Sequence, residues 1–149
     1  MLYHSYRRDR ISAISAVSVS PLQARLGLYV RFHYKNLTGI EVLDFLRYVL
    51  RHLSRPIVLL WDGGPIHCRK LVKDYIASNR GRLHVYRFPA YAPELNPAEY
   101  VWAQSKAYVA NAAPKDIEEL KDGLSAALAR TANSQSLLRA CLRQSGLFF

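Results

Sequence analysis

The stretch that most constrains this chain is the apolar run Ile57, Val58, Leu59, Leu60, Trp61, which ends on Asp62 and is followed by Gly63, Gly64 and Pro65. Five apolar residues without alternation read as a strand buried on both faces, the pattern of a sheet inside an α/β fold. An acid placed directly after such a strand puts a carboxylate at the carboxyl rim of the sheet, where open α/β sheets bind their ligands. The Gly-Gly-Pro sequence then turns the chain sharply toward a helix expected to begin near His67. Asp62 therefore has two readings, a rim ligand or an ordinary turn and helix-start aspartate.

A second carboxylate, Glu99, follows in FPAYAPELNPAEYVWAQSK. Asn96, Pro97, Ala98 and Glu99 fit the first positions of a helix, with Asn96 as the cap and Pro97 where its missing N–H costs nothing. Glu99 would then reach back to the cap as in a capping box. That local role does not account for Tyr91, Pro93, Leu95 and Pro97, which stiffen the approach, nor for the acid-ended strand upstream. A first helical turn held opposite a sheet rim would offer two carboxylates, the oxygen donors that a hard divalent cation takes.

WDGGPIH followed by FPAYAPELNPAEYVWAQSK resembles the DDE transposases of bacterial insertion sequences, relatives of the mariner group. In that family the second catalytic Asp ends a strand and the catalytic Glu lies in a Pro-rich N-P-x-E-x-x-W segment. Asp62 and Glu99 match those positions with 36 residues between them, within the family's range. The resemblance implies that both are catalytic and both ligate metal, with Mg²⁺, or Mn²⁺ in its place, supporting in-line attack on a DNA phosphodiester. Trp102 and Lys106, three and seven positions after Glu99, share its helix face and are expected as supports, Lys106 toward a phosphate. His67 is expected to position the turn after Asp62. The family often has Asn where this chain has Gly63, so no side-chain contact is expected there.

Arg7, Arg8 and Arg10 open the chain as a solvated lead or as phosphate contacts. Asp9, the acid nearest them, is expected either as their solvated partner or near the metal site. Ile11 to Val19 and Leu26 to Tyr34 alternate apolar and polar residues and predict a hairpin around Pro21 to Arg25. Asn36, Leu37, Thr38 and Gly39 start a helix to about Leu53 with a broad apolar stripe. On its other side Arg47, Arg51 and Arg55 recur every fourth residue, a solvated face or a DNA-contacting ridge. A short helix over Cys68 to Asn79 and a strand over Leu83 to Phe88 complete a strand, helix, strand unit, expected as a parallel pair. Helices follow from Pro97 to about Ala110, Asp116 to Arg130 and Ser134 to Arg143.

This order predicts one α/β domain over residues 1–149, an RNase H-like mixed sheet flanked by helices but lacking the family's first strand, which carries the first catalytic Asp. Either the hairpin slides over to pair directly with the Asp62 strand, or the missing piece comes from a frameshifted reading frame, a misplaced start codon or a partner chain, or the element has decayed; a homodimer is the other assembly expected. No helix-turn-helix DNA reader is expected. Lys and Arg number 21 against 11 Asp and Glu, a net charge of +10 that favours a polyanion, DNA first. The two cysteines form no C-x-x-C pair, and no apolar run approaches the roughly 20 residues of a membrane span. The expectation is a cytoplasmic, nucleoid-associated protein with DNA as partner and no membrane. Its function is expected to be that of a transposase catalytic-domain fragment, weakly active or inactive alone. The alternative is a non-catalytic DNA-binding or assembly fragment that modulates a full-length transposase.

Overall fold

The structure, a computed structural model, describes residues 11–147. Asp9 and the Arg7, Arg8 and Arg10 lead lie outside these residues. The chain divides into two units, one built from its two ends, up to Asn36 and from Glu94, the other from Leu37–Pro93.

In the first unit, β1 (Ser12–Val19) and β2 (Leu26–His33) form the expected hairpin, antiparallel from Ser12 opposite His33 to Val19 opposite Leu26. Three helices follow in this unit: α3 (Pro97–Ala112), α4 (Ile117–Ala132) and α5 (Gln135–Gln144). The alternation in the hairpin sequence decides what they cover. Val17, Leu28, Val30 and Phe32 pack against buried Val101, Leu128 and Cys141, and Leu26 is buried with Leu138 and Leu142. Asp116 and Ser134 cap α4 and α5 by accepting from the amides of Glu119 and Leu137. Gly123 lets α4 approach α3 closely, since a Cβ there would meet Val109 at 3.3 Å. The Gln135 side chain exchanges two hydrogen bonds with the backbone of Leu26, accepting its N–H at 2.8 Å and donating to its carbonyl at 2.7 Å. It does for the start of β2 what a neighbouring strand would do.

In the second unit, α1 (Gly39–His52) begins at Thr38, which accepts from Ile40 while Glu41 accepts from the Thr38 amide at 2.7 Å, closing a capping box. Its apolar stripe, Val42, Leu43, Phe45, Leu46, Val49 and Leu50, is buried. β3 (Ile57–Trp61), α2 (Lys70–Ser78) and β4 (Leu83–Arg87) form the expected strand, helix, strand unit, parallel from Ile57 beside Leu83 to Trp61 beside Arg87. The second helix starts later than the sequence predicts. Pro65–Cys68 is a single 3-10 turn, and Arg69 is extended, so the helix opens at Lys70.

The α/β class holds: among the described residues β1 pairs with β2 in the first unit and β3 with β4 in the second. Two expectations are corrected. β3 is not buried on both faces: Val58 is 65% and Leu60 44% exposed, while Ile57, Leu59 and Trp61 are half-buried. A pair of strands in a unit with two helices has apolar cover for one face only, and the uniform run conceals that alternation. Finally α1 stops at His52, so Arg55 follows the helix and does not extend the row of Arg47 and Arg51. Among the described residues no helix is long and apolar enough to cross a membrane.

Gln135→Ala deletes both bonds to Leu26 and leaves a part-buried N–H and carbonyl without their partner. The expected loss is about 1–3 kcal/mol. Urea unfolding checks it, with Ser125→Ala on α4 expected to change stability by less than about 0.5 kcal/mol as an exposed surface site.

Candidate active site

Asp62 follows the last residue of β3 and stands at the carboxyl end of the parallel pair, as the sequence predicts. Its side chain is 66% exposed. The turn reading also holds, through one oxygen: Oδ1 accepts the Gly64 N–H at 2.9 Å, an aspartate turn that ends the strand. A Cβ on Gly64 would sit 2.9 Å from that oxygen, so a side chain there would push the Asp62 carboxylate aside. Gly63 is under no such constraint, since a Cβ on it would meet only Arg87, at 3.8 Å. No described residue engages Oδ2.

His67 closes the turn from the other side. Its Nδ1 lies 3.0 Å from the Asp62 carbonyl and 3.0 Å from Oδ1, so with a proton on Nδ1 it donates to both. The ring stacks flat on Trp61, centroids 4.4 Å apart and planes 2° apart. His67 is thus held by the residue before Asp62 and in turn contacts Asp62 through both its carbonyl and its carboxylate.

Sequence reasoning passed over Arg87. Parallel register sets it beside Trp61, so the ends of β3 and β4 deliver Asp62 and a cation to one rim. Its guanidinium donates to Cys68 Sγ at 2.8 Å, and no carboxylate among the described residues pairs with it. The signal was present in the sequence as an arginine closing the second of two parallel strands. The rim segment that follows holds Tyr91 at φ 57°, in the left-handed region, with its ring fully exposed. A non-glycine residue kept there is strained, a condition that concentrates at functional sites.

Glu99 belongs to the other unit, on the first turn of α3. Asn96 caps this helix as expected, its Oδ1 accepting from Ala98 at 3.1 Å and its carbonyl from the Glu99 amide at 3.1 Å. The capping box does not form. Glu99 is exposed, and no described residue hydrogen-bonds its carboxylate. Trp102, half-buried, donates from Nε1 to Ser15 Oγ at 2.8 Å and packs edge-on to Phe32, tying α3 to the hairpin. It is a structural support, not a free stacking surface. Lys106 is exposed on the same helix, and no described acid pairs with it. Arg47 and Arg51 lie on α1 of the second unit, both exposed.

A family model described as DDE superfamily endonuclease matches residues 2–121. The transposable element Tc1 transposase of Caenorhabditis elegans is 26% identical over 90 residues, 60% of this chain and 31% of that protein. The chain therefore spans about a third of that curated relative's length. Among solved structures, a chain of the simian T-cell lymphotropic virus intasome in complex with PP2A regulatory subunit B56 gamma superposes with a TM-score of 0.57 at 17% identity, over 80% of this chain and 45% of that one. This likeness speaks to fold, and the RNase H-like α/β class stands. The catalytic domain of Mos1 mariner transposase aligns over 97% of this chain and 86% of its own, at 16% identity and a TM-score of 0.42.

Because Glu99 makes no cap contact, Glu99→Gln is expected to leave the melting temperature within about 1 °C, a shift that for a domain of this size corresponds to a few tenths of a kcal/mol. Asn96→Ala, which removes the real cap, is expected to cost about 1 kcal/mol. Thermal unfolding of the two variants side by side checks the contrast.

Proposed function

The chain belongs to the DDE superfamily of endonucleases, and from that premise we propose that it acts in DNA transposition as part of a transposase catalytic domain, with Asp62 and Glu99 as carboxylates of metal-dependent DNA strand cleavage and strand transfer. The observation that carries this reading is that the fold leaves both carboxylates available. Oδ2 of Asp62 and both oxygens of Glu99 are engaged by no described residue, while the caps and turns around them are completed by other atoms.

The donor set suits a hard divalent cation. Asp62 and Glu99 would hold Mg²⁺ or Mn²⁺, and when bound the metal supplies Lewis-acid polarisation of phosphoryl oxygens and lowers the pKa of water. The chain's own part is positioning. The Asp62 turn is locked by Gly64 and His67, and the His67 ring by Trp61, so one carboxylate oxygen faces outward in a fixed orientation. Arg87 at the same rim is a cation for a non-bridging phosphate oxygen. Lys106, Arg47 and Arg51 are the cations assigned to the DNA backbone, and the net charge of +10 supports a polyanionic partner. Among the described residues no cluster of three or more His, Cys, Asp or Glu is arranged for a metal. Two carboxylates offset little of the charge of two divalent ions. Metal binding by this chain alone is accordingly weak, and its strand cleavage slow or absent.

The test is Mn²⁺ titration of the whole chain followed by paramagnetic broadening of its amide signals. Wild type is expected to broaden around Gly63, Gly64 and the first turn of α3, with Asp62→Ala and Glu99→Gln each weakening the effect by about tenfold or more, since loss of a partner behind the ligands already costs that much. Unchanged broadening in both variants would overturn the assignment. Nicking of supercoiled plasmid with Mn²⁺ is the activity arm, and any nicking seen must vanish in Asp62→Ala. DNA binding with neither nicking nor Mn²⁺ broadening around Asp62 and Glu99 in wild type would favour a non-catalytic DNA-binding or assembly role.

A further inference from the structure

Between β4 and α3 the backbone holds an aromatic residue in a conformation that disfavours it. Tyr91 has a φ of 57°, and its ring is 100% exposed. The left-handed region suits glycine, asparagine or aspartate, and a bulky residue there costs free energy that no burial of this ring offsets. Neither packing nor turn chemistry accounts for a tyrosine at this position. We propose that Tyr91 is a substrate-binding residue whose ring stacks on an unpaired nucleobase of the strand lying against Asp62. That the strand is DNA rests on the function proposed above; the choice of a base rests on the ring and its place.

The place follows from the end of the parallel ladder. The Phe88 amide donates to the Trp61 carbonyl at 2.8 Å, so the pairing continues one step past Arg87, to the peptide group that leads into Asp62. Three residues of chain reach about 11 Å at most, and the Tyr91 backbone stays within that distance of Phe88. A nucleic-acid strand advances about 3.4 Å per nucleotide, which puts the ring within a few nucleotides of any strand held at Asp62. Pro89 and Pro93 bracket Tyr91 with fixed φ angles, and Pro93–Leu95 closes the segment as a 3-10 turn. A ring carried on so stiff a segment loses little freedom when a ligand covers it.

The ring's surroundings decide between partners. An aromatic anchor of a protein interface sits in a packed apolar core, whereas the exposed residues leading up to Tyr91 are only Pro89 and Ala90. A phosphate would engage the hydroxyl and leave both faces of the ring in water. A base covers a face, and the contact tolerates any base because each presents a π-surface. Bases within a duplex already have their faces covered by neighbours, so the ring selects one that is unpaired or drawn out of the stack.

The experiment uses the whole chain and two short DNA duplexes that differ only in a single-stranded end of three nucleotides, intact in one and abasic in the other, so the phosphates are equal. Wild type is expected to bind the intact end about tenfold more tightly, within the range of one base–aromatic stack. Tyr91→Leu is expected to lose this preference. Tyr91→Phe, which keeps the ring and drops the hydroxyl, is expected to retain it. Because the ring is fully exposed, Tyr91→Leu is expected to melt within about 2 °C of wild type. A full preference in Tyr91→Leu would overturn the proposal, and a clear fall in its melting temperature would do the same by showing that the ring serves the fold. Loss of the preference in Tyr91→Phe would also overturn it, assigning the contact to the hydroxyl. Equal, measurable binding of both ends by wild type sinks the stacking alone and leaves Asp62 and Glu99 to the Mn²⁺ titration. If wild type binds neither duplex, the DNA partner of the proposed function fails and the stacking fails with it.

Discussion

Arg82 is the point on which the second unit turns. Its carbonyl accepts the Ile57 N–H at 2.6 Å, the first bond of the parallel ladder, and the next residue begins β4. Its side chain meanwhile reaches the last carbonyls around the end of α1, groups that an α-helix leaves without partners. One residue thereby sets where the strands start and where the helix stops, and places a cation at the negative end of that helix. The arrangement has a cost, because Arg82 Nε is buried without an acceptor among the described residues, worth about 1–3 kcal/mol. Its charge-assisted bonds to carbonyls, at about 1.5–3 kcal/mol each, offset it.

From that start the register runs without a bulge to Trp61 and Arg87, so the rim is determined five residues earlier. A one-residue slip would move Arg87 away from Trp61 and reverse the face each side chain takes. The Asp62 turn depends on this end point, because its histidine is stacked on Trp61. Burial of apolar surface places the strand, hydrogen bonds terminate it, and the charged groups then stand at its end without contributing to the core. Cys68 and Cys141 show the same division. Cys141 is packed among Val101 and Leu128, and burial pushes its thiol pKa up, whereas Cys68 lies half-exposed against Arg87.

Local pattern made much of this legible. The alternation of Leu26, Leu28, Val30 and Phe32 predicted β2 and its covered face, and Asn96, Pro97 and Thr38 predicted two helix starts that the structure contains. What failed was whatever depended on how many layers surround an element. Val58 and Leu60 look as buried as Leu59 in sequence, because a strand's composition records the cover it is built for and not the cover it has within its own unit. Arg55 failed for a local reason: the helix, read to about Leu53, ends at His52, so Arg55 already lay past it, and Arg82, from beyond α2, bonds the carbonyls at that end.

The most informative contrast lies between two glutamates with the same local sequence logic. Thr38 and Asn96 both cap a helix, and Glu41 and Glu99 both stand three residues later. Glu41 is 3% exposed and closes its capping box, so its carboxylate is spent on the backbone. Glu99 could gain a comparable bond, and the fold does not take it. Asn96 satisfies Ala98 with its side chain and Glu99 with its carbonyl, Pro97 has no N–H to satisfy, and the helix start is complete without the glutamate. A motif that ordinarily consumes an acid is here completed by an amide and a proline, which leaves the acid exposed at a fixed place on a rigid turn. That separation of the capping task from the carboxylate is what a ligand-binding role for Glu99 requires, beside the modest gain any acid has in the first turn of a helix.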